Sequence, residues 1–172
     1  QIRGAARTAD LVVLGQYEWV GASERHALSL AEAVALDCGR PVLAVPAGFS
    51  EARIRRTLIA WDGGREATRA LHDALPLLEG TTAEIVAAAE KSDDVSLRSL
   101  SEHLYHHHVA VEGDIHICGR PTAQRLMERL RQKQFDLLVM GAYGHPAWLE
   151  FLFGGVTQTA LLRSTVPVLV SH

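Results

Sequence analysis

The segment best suited to chemistry lies between residues 141 and 157, where glycines recur at short intervals. They follow the pattern G-x2-G-x9-G-G, and a Val-Thr pair then leads into a predicted helix that reaches Arg163. Glycine lets backbone N–H groups approach a phosphate closely, and the first turn of a helix adds unpaired N–H donors and a partial positive charge of about half a unit. The pattern therefore predicts an anion-binding loop built from main chain.

A cluster of histidines is the second feature that invites chemistry. His103 and His107 are four residues apart and would share one face of a helix, with His106 and His108 beside them. A metal site needs three or four converging ligands, and the only adjacent carboxylate is Glu102. A solvated helix end is therefore the favoured interpretation, and no metal site is predicted.

Three other side chains are weighed in the same way. His145 lies within the glycine loop, where it would face either a phosphate or solvent. His116 and Cys118 have the spacing of one strand face, but no further ligand stands near them in the sequence. Cys38 is distant from Cys118, so we expect reduced thiols and neither a disulfide nor a zinc site.

The composition is that of an ordinary globular protein and excludes several classes of function. Seventeen basic and 20 acidic residues give a net charge of −3, which argues against a nucleic-acid partner. No apolar run approaches the ~20 residues that span a bilayer, and residues 1–10 lack the apolar core of a signal peptide. We expect a cytoplasmic protein with no membrane partner. The chain begins with Gln1 and almost at once enters a strand pattern, which we interpret as the remainder of a longer chain.

An internal repeat organises the chain. Residues 10–45 align without a gap on residues 136–171, with ten of the 36 positions identical, where chance would give about two or three. Both copies have the pattern of a strand, a loop, a helix and a strand, and the strands are continuous apolar runs typical of a parallel sheet buried on both faces.

The elements between the two copies alternate in the same way. Strands are predicted over 58–61, 83–88 and 109–111, the last followed by an irregular run to Cys118. Helices are predicted over 27–37, 66–78, 95–105 and 121–133, and Pro76 should kink or end the second of these early.

Alternation of this kind predicts a doubly wound α/β fold with a parallel five-stranded sheet in residues 57–172. Residues 1–46 would supply the C-terminal βαβ part of a preceding domain, and residues 47–56 would be a linker. In such sheets ligands bind beyond the carboxyl ends of the strands where the strand order reverses. The turn after Trp61 and the loop after Met140 are the two candidate positions.

These features together resemble the universal stress protein family in its tandem form. The resemblance rests on the turn at Asp62, the strand Asp136–Gly141, the glycine series, and the closing Leu162-Arg163 with residues 166–170. It implies a flavodoxin-like, adenine nucleotide alpha hydrolase-like fold with strand order 3-2-1-4-5. It also implies that domains pair through their last strands.

The resemblance implies ATP or AMP as the ligand, with magnesium only as the companion of ATP. The aspartate would meet the adenosine, Ile85 or Val86 would contact the base, and the glycine loop would hold the phosphates. Trp61 would either pack in the core or border the adenine. The nucleotide-binding residues carried over or adjoining the motif are Trp61, Asp62, Val86, Met140, Gly141, Gly144, His145, Gly154, Gly155, Val156 and Thr157.

Two departures from the family pattern affect this prediction. Gly155 stands where the family usually has Ser or Thr, which removes a hydroxyl from the phosphate site; Thr157 is a candidate replacement. In the first copy, Glu18, Leu28 and Ser29 replace the glycines, so this half is expected to bind no nucleotide and to have a structural role.

We therefore expect a stress-response binding protein whose C-terminal domain binds an adenine nucleotide as a regulatory ligand. No Ser-His-Asp arrangement, phosphate-loop motif or dinucleotide motif is present, so no catalytic residue is predicted. One alternative is a homodimeric protein that binds no nucleotide and acts by association. The other is a weak ATPase on the same fold. Homodimerisation is expected whichever of these functions holds, because an incomplete first domain would expose apolar strands.

Overall fold

A computed structural model describes residues 2–16, 30–50, 53–88, 94–117, 122–132, 134–143 and 155–172. Strands and helices alternate along most of this length, as the apolar runs and the amphipathic segments between them predict. The helices are α1 (Ile2–Ala6), α2 (Leu30–Cys38), α3 (Arg65–Leu78), α4 (Asp94–His106), α5 (Thr122–Gln132) and α6 (Val156–Arg163). The strands are β1 (Val12–Gly15), β2 (Val42–Val45), β3 (Arg56–Trp61), β4 (Thr82–Ala88), β5 (Ala110–Ile117), β6 (Leu137–Gly141) and β7 (Val168–Ser171).

The described strands form a single seven-stranded sheet in the order β1-β2-β7-β6-β3-β4-β5. All neighbouring strands are parallel except β2 and β7, which pair antiparallel through Val42–Val170, Leu43–Leu169 and Ala44–Val168. The parallel-dominated α/β sheet expected from the sequence is thus confirmed.

The expectation of five strands is corrected to seven. Strands β3 to β7 taken alone follow the expected order 3-2-1-4-5, as β5-β4-β3-β6-β7. The sheet does not end at β7, because β2 bonds to the outer edge of that strand and β1 extends the ladder further. Backbone N–H and C=O groups along an apolar strand need partners, and β2 supplies those of β7. Two segments distant in sequence therefore share one sheet.

Helices cover the sheet on two faces, and each face has its own core. Alternate strand residues point to opposite faces, so Leu58 and Ala60 join the core under α2, α5 and α6, whereas Ile59 and Trp61 join the core under α3 and α4. Among the described residues, no helix has the combined length and apolar character that crossing a membrane requires.

Two local predictions need correction. Pro76 does not end α3 early: its side chain is exposed, and the helix runs on to Leu78. The buried Leu71, Ala74 and Leu78 hold the helix against the sheet, and tertiary packing of this kind outweighs one lost hydrogen bond. The irregular run expected after residue 111 is instead a continuation of β5 to Ile117, which pairs with β4 and takes up a register shift beside Ala83 and Glu84.

Candidate functional site

A small cavity lies at the carboxyl ends of β3 and β6. These two strands are neighbours in the sheet, and from them the chain winds in opposite directions, to β4 on one side and to β7 on the other. This is the switch point where doubly wound folds bind ligands. The described residues around the cavity are Ala60, Asp62, Glu66, Ala67, Met140, Gly141, Tyr143 and Thr157.

The turn after β3 fixes the Asp62 carboxylate at the edge of the cavity. Gly63 has φ +71°, a left-handed conformation that glycine adopts without strain. The Gly64 N–H donates to Asp62 Oδ1 at 2.8 Å. Within the described residues only Oδ1 is engaged, which leaves Oδ2 to accept a hydrogen bond from a ligand hydroxyl.

Gly141 is required by packing at the end of β6. A Cβ atom placed there would lie 2.6 Å from the backbone N of Ala67 and 2.7 Å from the carbonyl carbon of Glu66. The first turn of α3 therefore rests directly on this glycine. Its prediction as a ligand contact came from the resemblance, and the geometry adds a structural reason for glycine at the same position.

The N-terminus of α6 faces the cavity through Thr157. Gly155 is the N-cap residue and no side chain caps the helix, so backbone N–H groups in its first turn lack intrahelical partners. Thr157 is 8% exposed. No hydrogen bond joins its hydroxyl to the described part of the chain, so a buried hydroxyl and a helix N-terminus both remain available for an anion.

Glu66 places a negative charge in the same cavity. Its side chain is buried, and Oε1 accepts from the Arg65 guanidinium at 2.9 Å. Burial raises the pKa of this carboxyl, but a backbone hydrogen bond, the hydrogen bond from Arg65 and the positive charges of Arg65 and His172 together lower the pKa below its usual value. Glu66 is therefore ionised at neutral pH.

The structure separates the predicted base-contacting residues by sheet face. Val86 is aligned with Ala60 and belongs to the same core as Ala60 and Met140; those two line the cavity, and Val86 does not. Ile85 points to the opposite core, where Trp61 also packs. Of the two candidates on β4, Val86 is therefore the one on the cavity side, and Trp61 does not line the cavity.

Three predicted residues, Gly144, His145 and Gly154, lie outside the described residues. Sequence reasoning missed Glu66 and Tyr143 as cavity residues. Tyr143 has φ +60°, a conformation that is uncommon for tyrosine and is not predicted from its residue type. Glu66 was placed at the start of the predicted helix after Asp62, and that position was the available signal, because the first turn of such a helix points at the switch point.

The histidine cluster lies away from this cavity. The rings of His72 and His103 are 4.9 Å apart between centroids, and those of His103 and His107 are 4.7 Å apart. Within the described residues, no group of three or more His, Cys, Asp or Glu side chains could hold a metal ion. The cluster is therefore a stacked contact between α3 and α4.

The doubly wound sheet, its switch-point cavity and the uncapped helix define a class of α/β proteins that hold ligands at strand ends. Within that class, the sequence profile of the universal stress protein family matches residues 53–172. The chain belongs to the universal stress protein family, as its residues suggested. No curated protein matches the chain.

Solved structures show the same fold. A universal stress protein from Archaeoglobus fulgidus DSM 4304 superposes with a TM-score of 0.70 at 22% identity, covering 99% of this chain and 63% of that one. A second, from Lactobacillus plantarum, gives 0.54 at 15% identity and covers 71% of this chain and 100% of its own. A third, solved in complex with cAMP, gives 0.57 at 22% identity with 70% and 98% coverage. The chain thus spans less than two thirds of the Archaeoglobus protein.

Proposed function

We propose that the chain binds an adenine nucleotide as a regulatory ligand at the cavity between β3 and β6. One observation carries this proposal: Asp62 and Thr157, whose hydroxyl has no hydrogen-bond partner among the described residues, line a single cavity at the switch point. A carboxylate suits the hydroxyls of a ribose, and a threonine beside a helix N-terminus suits a phosphate. The two chemistries match the two ends of a nucleotide.

Each part of such a ligand has a matching surface. Asp62 Oδ2 accepts a hydrogen bond from the ribose, while Ala60 and Met140 give an apolar floor for the purine, with Val86 next to Ala60 in the same core. The phosphate lies against the first turn of α6. The role of Asp62 agrees with the one that the family resemblance implied, whereas Met140, carried over with the phosphate loop, is here assigned to the purine.

The relative solved in complex with cAMP supports a nucleotide ligand in this family. Among the described cavity residues, the ionisable groups are Asp62, Glu66 and Tyr143, and no lysine or arginine stands ready to neutralise a transferred phosphate. The proposal is therefore a binding protein, in which any hydrolysis of ATP is weak and magnesium serves only as the companion of ATP.

Calorimetric titration of AMP, cAMP and ATP into the protein, after denaturation of one sample to detect co-purified nucleotide, tests this function. Thr157→Val keeps the side-chain volume and removes one hydrogen bond to a charged group, so it should weaken binding about tenfold. Thr165→Val is the matched control, because Thr165 is exposed beyond the other end of α6. The control should bind as the wild type does.

The absence of both released nucleotide and binding heat at millimolar ligand would refute the proposed function. Equal affinities for the two threonine variants would place the ligand somewhere other than the α6 N-terminus.

Association is the second candidate function, favoured by the surface of the first copy. Val13 is 59% exposed and Leu30 is 50% exposed, and β1 is an edge strand of the described sheet. Exposed apolar side chains beside an open edge suit pairing with another chain. Sedimentation with and without nucleotide tests this candidate: a homodimer supports it, and a monomer at all concentrations contradicts it.

A further inference from the structure

We propose that Glu66 is a specificity-determining residue that selects adenine ligands of low negative charge, such as cyclic or single-phosphate nucleotides, against the triphosphate. This inference rests on the proposed function and names the ligand class of the same cavity. It comes from the arrangement of charges around the switch point.

The described cavity residues bring together two carboxylates and no basic side chain. Asp62 lies at the turn after β3 and Glu66 in the first turn of α3, and both line the cavity together with Thr157. A ligand phosphate at Thr157 therefore shares a confined space with the Glu66 carboxylate. Like charges in such a space repel more strongly than in bulk water.

Arg65 does not cancel this charge inside the cavity. Its guanidinium binds Glu66 Oε1 at 2.9 Å, but the Arg65 side chain is 81% exposed whereas that of Glu66 is 9% exposed. Water and salt screen the exposed cation, while the buried carboxylate keeps most of its field. Glu66 lines the cavity and Arg65 does not, so the negative member of the pair is the one that faces a ligand.

The backbone of Glu66 is fixed by packing, so the carboxylate cannot move away together with its helix. The backbone of Glu66 lies against Gly141, within 2.7 Å of where a Cβ atom would stand on that residue. The helix start and the strand end are locked together at this point. A highly charged phosphate chain must therefore bind beside a carboxylate that cannot withdraw with its helix.

Repulsion grows with the charge of the ligand, and this gives the expected effects. Glu66→Gln keeps the shape and removes the charge. The variant should bind ATP about tenfold more tightly and cAMP about twofold more tightly than the wild type, because the Coulomb energy is proportional to the ligand charge. Glu79→Gln is the matched control, since Glu79 is exposed beyond the other end of the same helix. It should change neither affinity.

The experiment is calorimetric titration of the whole chain with cAMP, AMP and ATP, each in EDTA and again with magnesium. The proposal requires the wild type to bind cAMP more tightly than ATP. Glu66→Gln should reduce the ratio of the cAMP affinity to the ATP affinity about fivefold. A second measurement needs only the wild type: raising the salt concentration to about 0.5 M should narrow the same ratio by screening the repulsion.

Three outcomes would overturn the proposal. If the ratio of the cAMP affinity to the ATP affinity changed neither in Glu66→Gln nor with salt, the charge of Glu66 would not determine the selectivity. If Glu66→Gln weakened ATP binding in the presence of magnesium but not in EDTA, Glu66 would be a metal ligand instead. If neither the wild type nor the variants bind any of the nucleotides, the proposed function itself fails, which the ratio measurement distinguishes from a failure of charge selection alone.

Discussion

The two copies of the repeat have related sequences but different surroundings. Val13 of the first copy aligns with Val139 of the second, and their exposed fractions are 59% and 1%. In the second copy α3 packs over the strand, and β3 pairs with its edge. In the described residues, β1 pairs with β2 alone, so its other edge has no partner strand, and the exposed side chain of Val13 has no helix packed over it. Neighbouring elements, and not the local sequence, thus decide whether the same valine is core or surface.

The aligned glycines at the strand ends show the same difference. A Cβ atom on Gly141 would collide with the backbone of α3, whereas a Cβ atom on Gly15 would have nothing within 4 Å. The two glycines are identical in the alignment but have different structural roles. Only the second glycine is forced by a close helix, and only beside that helix does the described sheet have the cavity with Asp62 and Thr157.

The two copies are in direct contact, and two features of that contact bear on the cavity. The antiparallel β2–β7 ladder connects their last strands. Arg69 of α3 adds a side-chain bridge, donating one hydrogen bond to the Gly39 carbonyl at 2.9 Å and another to the His172 carbonyl at 3.0 Å. The first copy thus supports the helix that also shapes the cavity.

The largest effect is expected at the aligned glycines. Gly141→Ala puts a methyl group 2.6 Å from backbone of α3, and relieving such overpacking should cost about 3 kcal/mol of unfolding free energy. Gly15→Ala meets open space and should change stability by less than about 0.5 kcal/mol. Urea unfolding of both variants measures the difference. Equal losses would mean that the two strand ends are packed alike.

A smaller effect is expected at the aligned valines. Val139→Ala removes two buried methyl groups and leaves a cavity, which should cost about 2 kcal/mol. Val13→Ala removes mostly exposed surface and should be nearly neutral in the isolated chain. The same urea titration applies. A loss at Val13 comparable to that at Val139, growing with protein concentration, would show that another chain covers the first copy.

The smallest effect is the pH dependence of α4, an element outside the aligned copies. Burial lowers the pKa of His103, and the neighbouring His72, His107 and His106 lower it further. A histidine with a depressed folded-state pKa stabilises the fold fully above its unfolded pKa of about 6.5, and this contribution is lost as the pH falls below that value. The amide protection factors in α4, which correct for the intrinsic pH dependence of exchange, should therefore fall below about pH 6.

His103→Gln should flatten this pH dependence, whereas His108→Asn should preserve it. His108 is exposed and has φ +59°, a conformation that asparagine tolerates. Parallel acid sensitivity in α2, which carries no histidine in its described residues, would assign the effect to the whole fold and contradict a local origin.

Much of the fold and part of the site followed from patterns of residues close in sequence. Alternating apolar strands and amphipathic helices predicted the α/β class, and the glycine after Asp62 predicted a tight turn that the structure contains. The end of α3 was less predictable, since Pro76 would stop an isolated helix. Burial of Leu78 extends it, and such tertiary effects lie outside local propensity.

The sequence by itself determined the elements, the repeat and the family, because each is written in the order of residue types along the chain. The tertiary structure alone decided which strands pair across the copies, which of Ile85 and Val86 shares a sheet face with Ala60, and that Glu66 and Thr157 line one cavity. Such contacts join residues far apart in the chain. They depend on how helices and strands pack together, and no local pattern contains that information.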